Sequence, residues 1–138
     1  MMTESIRNIA VIGAGTMGQG ISQVCALAGY SVMLYDIQAD ITRVAFTAIR
    51  KSLDTAVDRN KISALQKDEA LARIKAVGDF RQLQVDLAIE AVVEKVDVKH
   101  KILSELEKIN SLDCLLVSNT SSFPISQLAS VLKHKGRF

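Results

Sequence analysis

Three glycines near the start of the chain have the spacing of a phosphate-binding loop. Gly13, Gly15 and Gly18 form the pattern G-x-G-x-x-G, between an apolar run at 9–12 and a stretch of helical periodicity at 16–28. That order predicts a buried strand, a tight turn and a helix whose free N–H groups face a pyrophosphate. Gly13 would permit the tight turn, and Gly15 would allow the phosphates to approach the backbone. Gly18 would allow the helix to pack closely on the strand. The predicted phosphate-binding residues are Gly13, Ala14, Gly15, Thr16, Met17 and Gly18.

An acid follows at the end of the next predicted strand. Asp36 comes directly after the predicted strand 31–35. A carboxylate there accepts hydrogen bonds from the adenosine ribose and repels a 2′-phosphate, and neither Ile37 nor Gln38 could receive one. The pattern favours NAD over NADP. The alternatives are a plain strand–helix turn in which Asp36 caps a helix, or a flavin or S-adenosylmethionine site.

Polar side chains also follow two later strands. Glu94 and Lys99 come after the predicted strand 86–93, which contains Glu90, and the segment 118–122, Ser-Asn-Thr-Ser-Ser, follows Cys114–Val117. Since ligands of open α/β sheets lie at the carboxyl ends of the strands, these groups could bind a nicotinamide, its ribose or a substrate carbonyl. The alternatives are a solvated helix start at Glu94 and Lys99, and a simple loop and helix N-cap at 118–122.

The predicted elements alternate between strand and helix. Strands are predicted at 9–12, 31–35, 77–80, 86–93 and 114–117, and helices at 16–28, 41–56, 63–76, 98–109 and 125–132. This alternation implies right-handed βαβ crossovers. The predicted fold is therefore α/β, a Rossmann-type open, mainly parallel sheet with helices on both faces.

Composition narrows the class of protein. The 138 residues are 49% hydrophobic and carry a net charge of only +2, which argues against disorder and against a dedicated nucleic-acid binder. Two cysteines, Cys25 and Cys114, form neither a disulfide framework nor a zinc site and are expected to be buried, reduced thiols. No leader is evident in residues 1–7, and no apolar run approaches the ~20 residues of a membrane span. We expect a cytoplasmic protein.

Three motifs together resemble one family. The segments 13–21 (GAGTMGQGI), 86–94 (DLAIEAVVE) and 118–122 (SNTSS) occur in this order and spacing in the N-terminal domain of 3-hydroxyacyl-CoA dehydrogenases. The resemblance covers nearly the whole chain. It implies oxidation of the L-3-hydroxyl of an acyl-CoA to a ketone, with hydride passed to NAD.

The resemblance also implies roles for individual residues. Glu94 and Lys99 match positions near the nicotinamide ribose, and Ser121, with Asn119 beside it, matches the serine that touches the substrate oxygen. Ser52 and Arg59 match positions that meet the CoA moiety, although the family usually has Lys where Arg59 stands. The basic group Arg50, Lys51, Arg59 and Lys61 would suit the CoA phosphates or form an ordinary solvated helix face.

Two parts of the family pattern are not found. The general-base histidine of a His-Phe-Phe-Asn-Pro segment and its later glutamate are absent, and we do not assign His100 or His134 as the base. The family's helical C-terminal domain, which forms the dimer, is absent as well. Residues 1–138 therefore resemble an NAD-binding domain truncated before its last strands, and we expect weak NAD binding and little or no turnover.

Two other functions fit the same residues. One is a different NAD-dependent hydroxyacid dehydrogenase, acting on free acids. The other is a non-catalytic NAD-binding or regulatory module.

Overall fold

The computed structural model describes residues 5–138 as a parallel sheet covered by helices. Residues 1–4, on which part of the expectation about a leader depends, lie outside the described residues. The strands are β1 Asn8–Ile12, β2 Ser31–Tyr35, β3 Ile74–Ala76, β4 Leu87–Glu90 and β5 Leu115–Ser118. The helices are α1 Thr16–Leu27, α2 Ala39–Asp58, α3 Ala64–Arg73, α4 Val96–Ile109 and α5 Ile125–Ala129, with short 3₁₀ turns at Phe80–Gln82 and Lys135–Arg137.

The strand order is β3-β2-β1-β4-β5, and every pairing is parallel. The chain moves outward from β1 to β3 on one side and then crosses over to β4 on the other. The order therefore reverses between β1 and β4, where open α/β sheets form their ligand crevice. This arrangement confirms the Rossmann-type sheet predicted from the sequence.

Alternate side chains of the strands pack into two hydrophobic cores on opposite faces of the sheet. Ile9 and Val11 of β1 pack into a core beneath α1, α2 and α3, whereas Ala10 and Ile12 pack into a core beneath α4 and α5. Because both faces are buried, the central strand has no polar side of the kind that a half-exposed strand shows.

Helix α1 packs on the sheet through small residues. Gly18, Ser22 and Ala26 are its buried positions. Met17 and Val24, which share the apolar spacing that predicts the helix, are 58% and 67% exposed and line a shallow groove on its outer side. The spacing of apolar residues thus predicts the helix correctly, but it does not identify the face of the helix that packs against the sheet.

The region 58–82 differs from prediction in its boundaries. Ser63 caps α3 through a capping box with Gln66, but the helix ends at Arg73 rather than at 76. Ile74 instead begins β3 by pairing with Val32 of β2. The strand predicted at 77–80 is wrong, because pairing with β2 selects the three residues before it.

Two other predicted elements are shorter in the structure. Strand β4 ends at Glu90 instead of 93, and α5 ends at Ala129 instead of 132. Beyond Glu90 the N–H of Val92 donates to the Glu90 carboxylate at 2.9 Å, which turns the backbone out of the strand direction.

Both cysteines are free thiols. Cys114 is buried as expected, whereas Cys25 is half-buried, and burial raises the pKa of each thiol. Within residues 5–138, none of the helices combines the length and apolar character that crossing a membrane requires.

Candidate functional site: the carboxyl edge of the sheet

The glycine loop between β1 and α1 is tightly folded against its neighbours. Gly13 has a φ of +108°, and its N–H donates to the Tyr35 carbonyl at 2.8 Å. A Cβ at Gly13 would overlap the Ala91 carbonyl, and one at Gly18 would overlap the Gly13 carbonyl. At Gly15 the same atom would meet open space. The loop is thus closed toward the protein at Gly13 and Gly18, and open at Gly15 to a molecule approaching from outside.

The N-terminus of α1 has no capping side chain of its own. Its N-cap is Gly15, without a side-chain hydrogen bond, and its first turn carries no acid. The positive end of the helix dipole and the first N–H groups are therefore available to an anion.

Asp36 lies against this loop from the end of β2. Its Oδ2 accepts a hydrogen bond from the Ala14 N–H at 2.9 Å, and its Oδ1 accepts one from the Gln38 N–H at 3.0 Å. The N-cap of α2 is Gln38, so Asp36 is not the helix cap that the alternative interpretation required. Two acceptor oxygens of a carboxylate retain capacity for further donors such as ribose hydroxyls.

A cleft of about 520 Å³ opens beside the loop. Gly13, Gly15 and Asp36 form one end of it. Its walls further out are mostly apolar, and they come from the segments after β2 and β4 and from α4: Ile37, Ile41, Val93, Val98 and Ile102. The cleft combines the Asp36 carboxylate with mostly apolar walls, which suit a ribose and an adenine base respectively.

A cluster of charges lies at the ends of β4 and β5. Lys99 is fully buried, and its Nζ lies 2.5 Å from a carboxylate oxygen of Glu90 and 2.9 Å from one of Glu94. Glu90 is also fully buried and accepts hydrogen bonds from the Val92 N–H and the Ser118 hydroxyl. The cluster holds two carboxylates and one ammonium.

The segment after β5 is joined to the same cluster. The Thr120 hydroxyl donates to Glu94 Oε2 at 2.7 Å, and the Asn119 N–H donates to the Glu90 carbonyl at 2.8 Å. The Thr120 hydroxyl and the Lys99 ammonium, in that order of effect, hold the pKa of Glu94 below its usual value. Glu94 is 38% exposed, so its charge is presented to solvent at the crevice.

The predicted site residues fall into three groups. Gly13 to Gly18 and Asp36 come together around the loop, and Glu94, Lys99 and the turn at 118–122 come together beyond β4. Ser52 and Arg59 lie on the exposed side and at the C-terminus of α2, and neither lines the cleft.

Two of the simpler interpretations fail in the second group. Lys99 is not part of a solvated helix start, because it is completely buried and ion-paired. The N-cap of α5 is Pro124, so no residue of 118–122 caps that helix. Asn119 and Ser121 are exposed at the carboxyl edge, where a ligand could reach them.

Sequence reasoning did not single out Glu90 as a site residue, although the structure makes it the centre of the cluster. The available signal was its place in β4, where Ala88 and Glu90 both face inward and Leu87 and Ile89 are half-buried. An acid at an inward position needs a buried partner. Lys99, nine residues later, is that partner.

The open face at Gly15, the uncapped helix and the adjacent carboxylate fit a dinucleotide. A pyrophosphate would lie at the α1 N-terminus, with one half of the molecule in the cleft and the other over β4 and β5. Bound NAD supplies the hydride acceptor of a dehydrogenation. Asp36 would hold its adenosine ribose, and Glu94 would lie at the nicotinamide side.

Comparison with known proteins relates the sequence and fold of this chain to those of dehydrogenases. A family model described as "3-hydroxyacyl-CoA dehydrogenase, NAD binding domain" matches residues 8–138. The chain is 38% identical to a 3-hydroxybutyryl-CoA dehydrogenase of Bradyrhizobium diazoefficiens, covering 99% of this chain and 47% of that protein. It is 37% identical to a 3-hydroxyadipyl-CoA dehydrogenase of Escherichia coli, covering 99% of this chain and 29% of that one.

A solved structure agrees closely with the fold. The (S)-3-hydroxybutyryl-CoA dehydrogenase of Ralstonia eutropha superposes with a TM-score of 0.93 at 38% identity, over 97% of this chain and 48% of that one. The chain therefore spans about half the length, or less, of these relatives.

Proposed function

Because the chain belongs to the family of 3-hydroxyacyl-CoA dehydrogenase NAD-binding domains, we propose that it supplies the cofactor half of an L-3-hydroxyacyl-CoA dehydrogenase. The observation that carries the proposal is the glycine loop with Asp36 hydrogen-bonded across it at the end of an apolar cleft. In the proposed reaction, a hydride leaves C3 of the acyl group for the nicotinamide and the hydroxyl proton leaves for a base.

Residues at the β4–β5 edge would orient the reacting groups. Ser121 would hydrogen-bond the substrate oxygen, with Asn119 beside it, and Glu94 and Lys99 would flank the nicotinamide ribose. Their support is the exposure of Ser121 and Asn119 and the bonds that tie their turn to Glu94 and Glu90. Ser52 and Arg59 would meet the CoA moiety from α2.

We do not assign the proton acceptor of this reaction to any residue of the 138-residue chain. The His100 Nε2 is hydrogen-bonded with the Gln127 carbonyl at 2.8 Å, and the backbone N–H of His134 donates to Glu107 Oε2 at 2.9 Å. Neither histidine contacts the turn at 118–122 through these bonds. We propose that the base belongs to the additional length that the relatives have, and that the 138 residues alone have little or no activity.

Cofactor titration tests the first part of the proposal. The chain should bind NAD(H) at least about tenfold more tightly than NADP(H), because the Asp36 carboxylate repels a 2′-phosphate. Asp36→Asn should reduce the difference in affinity between NAD(H) and NADP(H). Asp40→Asn, at an exposed residue paired with Arg43, should leave that difference unchanged. Equal binding of both cofactors by the unsubstituted chain would refute the role of Asp36.

Turnover tests the second part. NADH formation from L-3-hydroxybutyryl-CoA should be close to background with the 138 residues. It should appear when they are joined to the C-terminal half of a 3-hydroxybutyryl-CoA dehydrogenase relative. Robust turnover by the 138 residues alone would contradict the assignment of the base. We further propose that the active form is a cytoplasmic homodimer, assembled through that additional length.

A non-catalytic NAD-binding module is the second candidate. Such a module would bind NAD through the same loop, cleft and Asp36, but it would not catalyse the oxidation of an acyl-CoA. Failure of the joined protein to oxidise the substrate, with NAD binding intact, would favour it. Oxidation of free hydroxyacids but not CoA thioesters would favour a different hydroxyacid dehydrogenase.

A further inference from the structure

The charge cluster at the ends of β4 and β5 contains two acidic side chains and one lysine. Glu90 and Lys99 are fully buried, and Glu94 is 38% exposed at the same place. Two carboxylates and one ammonium leave one net negative charge. The two buried groups neutralise each other, so the net negative charge lies at the Glu94 carboxylate, which faces the crevice.

The topology fixes which half of a dinucleotide approaches this charge. Asp36 lies on the β2 side of the loop, at a cleft lined from the segments after both β2 and β4, and it would hold the ribose of the adenosine half. The pyrophosphate lies at the α1 N-terminus. The nicotinamide half must then extend over β4 and β5, where Glu94 is presented and Thr120 is bonded to it.

The nicotinamide ring changes its charge in the reaction. The oxidised ring carries one positive charge, and the reduced ring, after accepting a hydride, carries none. A fixed negative charge nearby therefore attracts the oxidised form and has little effect on the reduced form. Because Glu90 and Lys99 are shielded from water, their field is weakened less by salt than that of surface groups.

We propose that Glu90, Glu94 and Lys99 act as one electrostatic unit of net charge −1 that biases the site toward the oxidised cofactor. Glu90 is a positioning residue in this unit. It holds the Lys99 ammonium, the Ser118 hydroxyl and the Val92 N–H, and it sets the net charge without touching the cofactor. The inference rests on the proposed dinucleotide site and adds a redox preference to it.

The test compares the affinity of the 138-residue chain for NAD+ and NADH, the first by calorimetry and the second by fluorescence titration. Glu90→Gln removes one negative charge and brings the unit to neutrality. The ratio Kd(NADH)/Kd(NAD+) should fall by about threefold to tenfold, as expected for a unit charge at several ångströms in a partly aqueous site. Weakening of both forms by the same factor would overturn the proposal, because a purely structural role predicts that result.

A double variant separates charge from structure. Glu90→Gln/Lys99→Gln retains Glu94 alone and restores the net charge of −1, so the ratio should return to within about twofold of the original value. The matched control is Glu69→Gln on α3, where a half-exposed carboxylate loses the same charge far along the chain from the β4–β5 edge. It should not change the ratio.

One further variant covers the case in which Glu90→Gln does not fold. Glu94→Gln makes the same change of charge at a partly exposed residue, and it too should lower the ratio. An unchanged ratio in that variant would overturn the proposal. If the unsubstituted chain binds neither NAD+ nor NADH, the proposed function itself fails, which is a different result from binding both forms without a charge-dependent ratio.

Discussion

The hydroxyl group of Thr120 lowers the pKa of the Glu94 carboxyl group. Glu94 is the only carboxylate of the cluster with substantial exposure, and the Thr120 hydroxyl is its nearest neutral donor, at 2.7 Å. A hydrogen bond to the charged form of a carboxyl group stabilises that form. The bond to Thr120 is accordingly the largest cause of the lowered pKa of Glu94, ahead of the bond to Lys99.

The consequence is a prediction about pH. A lowered pKa keeps Glu94 ionised at and above its ordinary titration range, and its contribution is lost only as the pH falls through the lowered value. Thr120→Val removes the strongest donor, so the pKa of Glu94 should rise and the acid limit of NAD+ binding should move to higher pH. NMR titration of the Glu94 side chain and NAD+ binding between about pH 3 and 7 would measure both shifts.

Thr47→Val is the matched control for that prediction. Thr47 is an exposed threonine on α2 whose hydroxyl, among residues 5–138, bonds only to the Arg43 carbonyl in its own helix. Its substitution should leave both measurements unchanged. A pKa of Glu94 that stays low in Thr120→Val would show that Lys99, and not the hydroxyl, is the main cause.

At the scale of elements, the turn between β1 and α1 leaves no room for a side chain at Gly18. A Cβ there would overlap the Gly13 carbonyl, which is backbone and cannot rotate away. Gly18→Ala should therefore displace the loop, lower the free energy of unfolding by about 1–3 kcal/mol and weaken NAD binding at least about tenfold. Thermal unfolding and cofactor titration measure the two effects.

Gly20 provides the comparison within the same helix. It is exposed, and a Cβ there would meet nothing within 4 Å. Gly20→Ala should raise the free energy of unfolding by up to about 1 kcal/mol, because alanine is the better helix former. If both substitutions affected stability equally, overlap with the loop would not be the reason that Gly18 is glycine.

At the scale of the molecule, strand β5 has one unpaired edge and two partly exposed apolar side chains in the part of the chain that the structure describes. Its only neighbour there is β4, and Leu115 and Val117 are 44% and 41% exposed. Unpaired strand edges with apolar side chains are sites of chain–chain association. We therefore expect the isolated chain to self-associate through β5.

Sedimentation velocity over a range of concentrations would measure that association. Val117→Lys should lower it, because a charged side chain on an edge strand opposes pairing. Val44→Lys adds the same charge on the exposed face of α2, where Val44 is 63% exposed, and should change little. A chain that remains monomeric at every concentration, or an equal effect of the two variants, would contradict the role of β5.

Much of the fold was predictable from local patterns. Strand β1, the turn and α1 follow from an apolar run, glycine spacing and helical periodicity, and each of these acts over a few residues. The capping of α3 by Ser63 is equally local. The boundaries of β3 were not predictable in this way, because they depend on pairing with β2, whose residues are about forty positions away in the chain.

The same division applies to the candidate site. The sequence alone determined the class of fold, the glycine loop between β1 and α1 and the acid at the end of β2, because residue type and short spacing are sufficient for these features. Only the tertiary structure decided that Lys99 is buried and that Glu90 is its partner. Burial and charge pairing depend on which strand ends and helices are brought together across the sheet, and no local pattern in the chain records that arrangement.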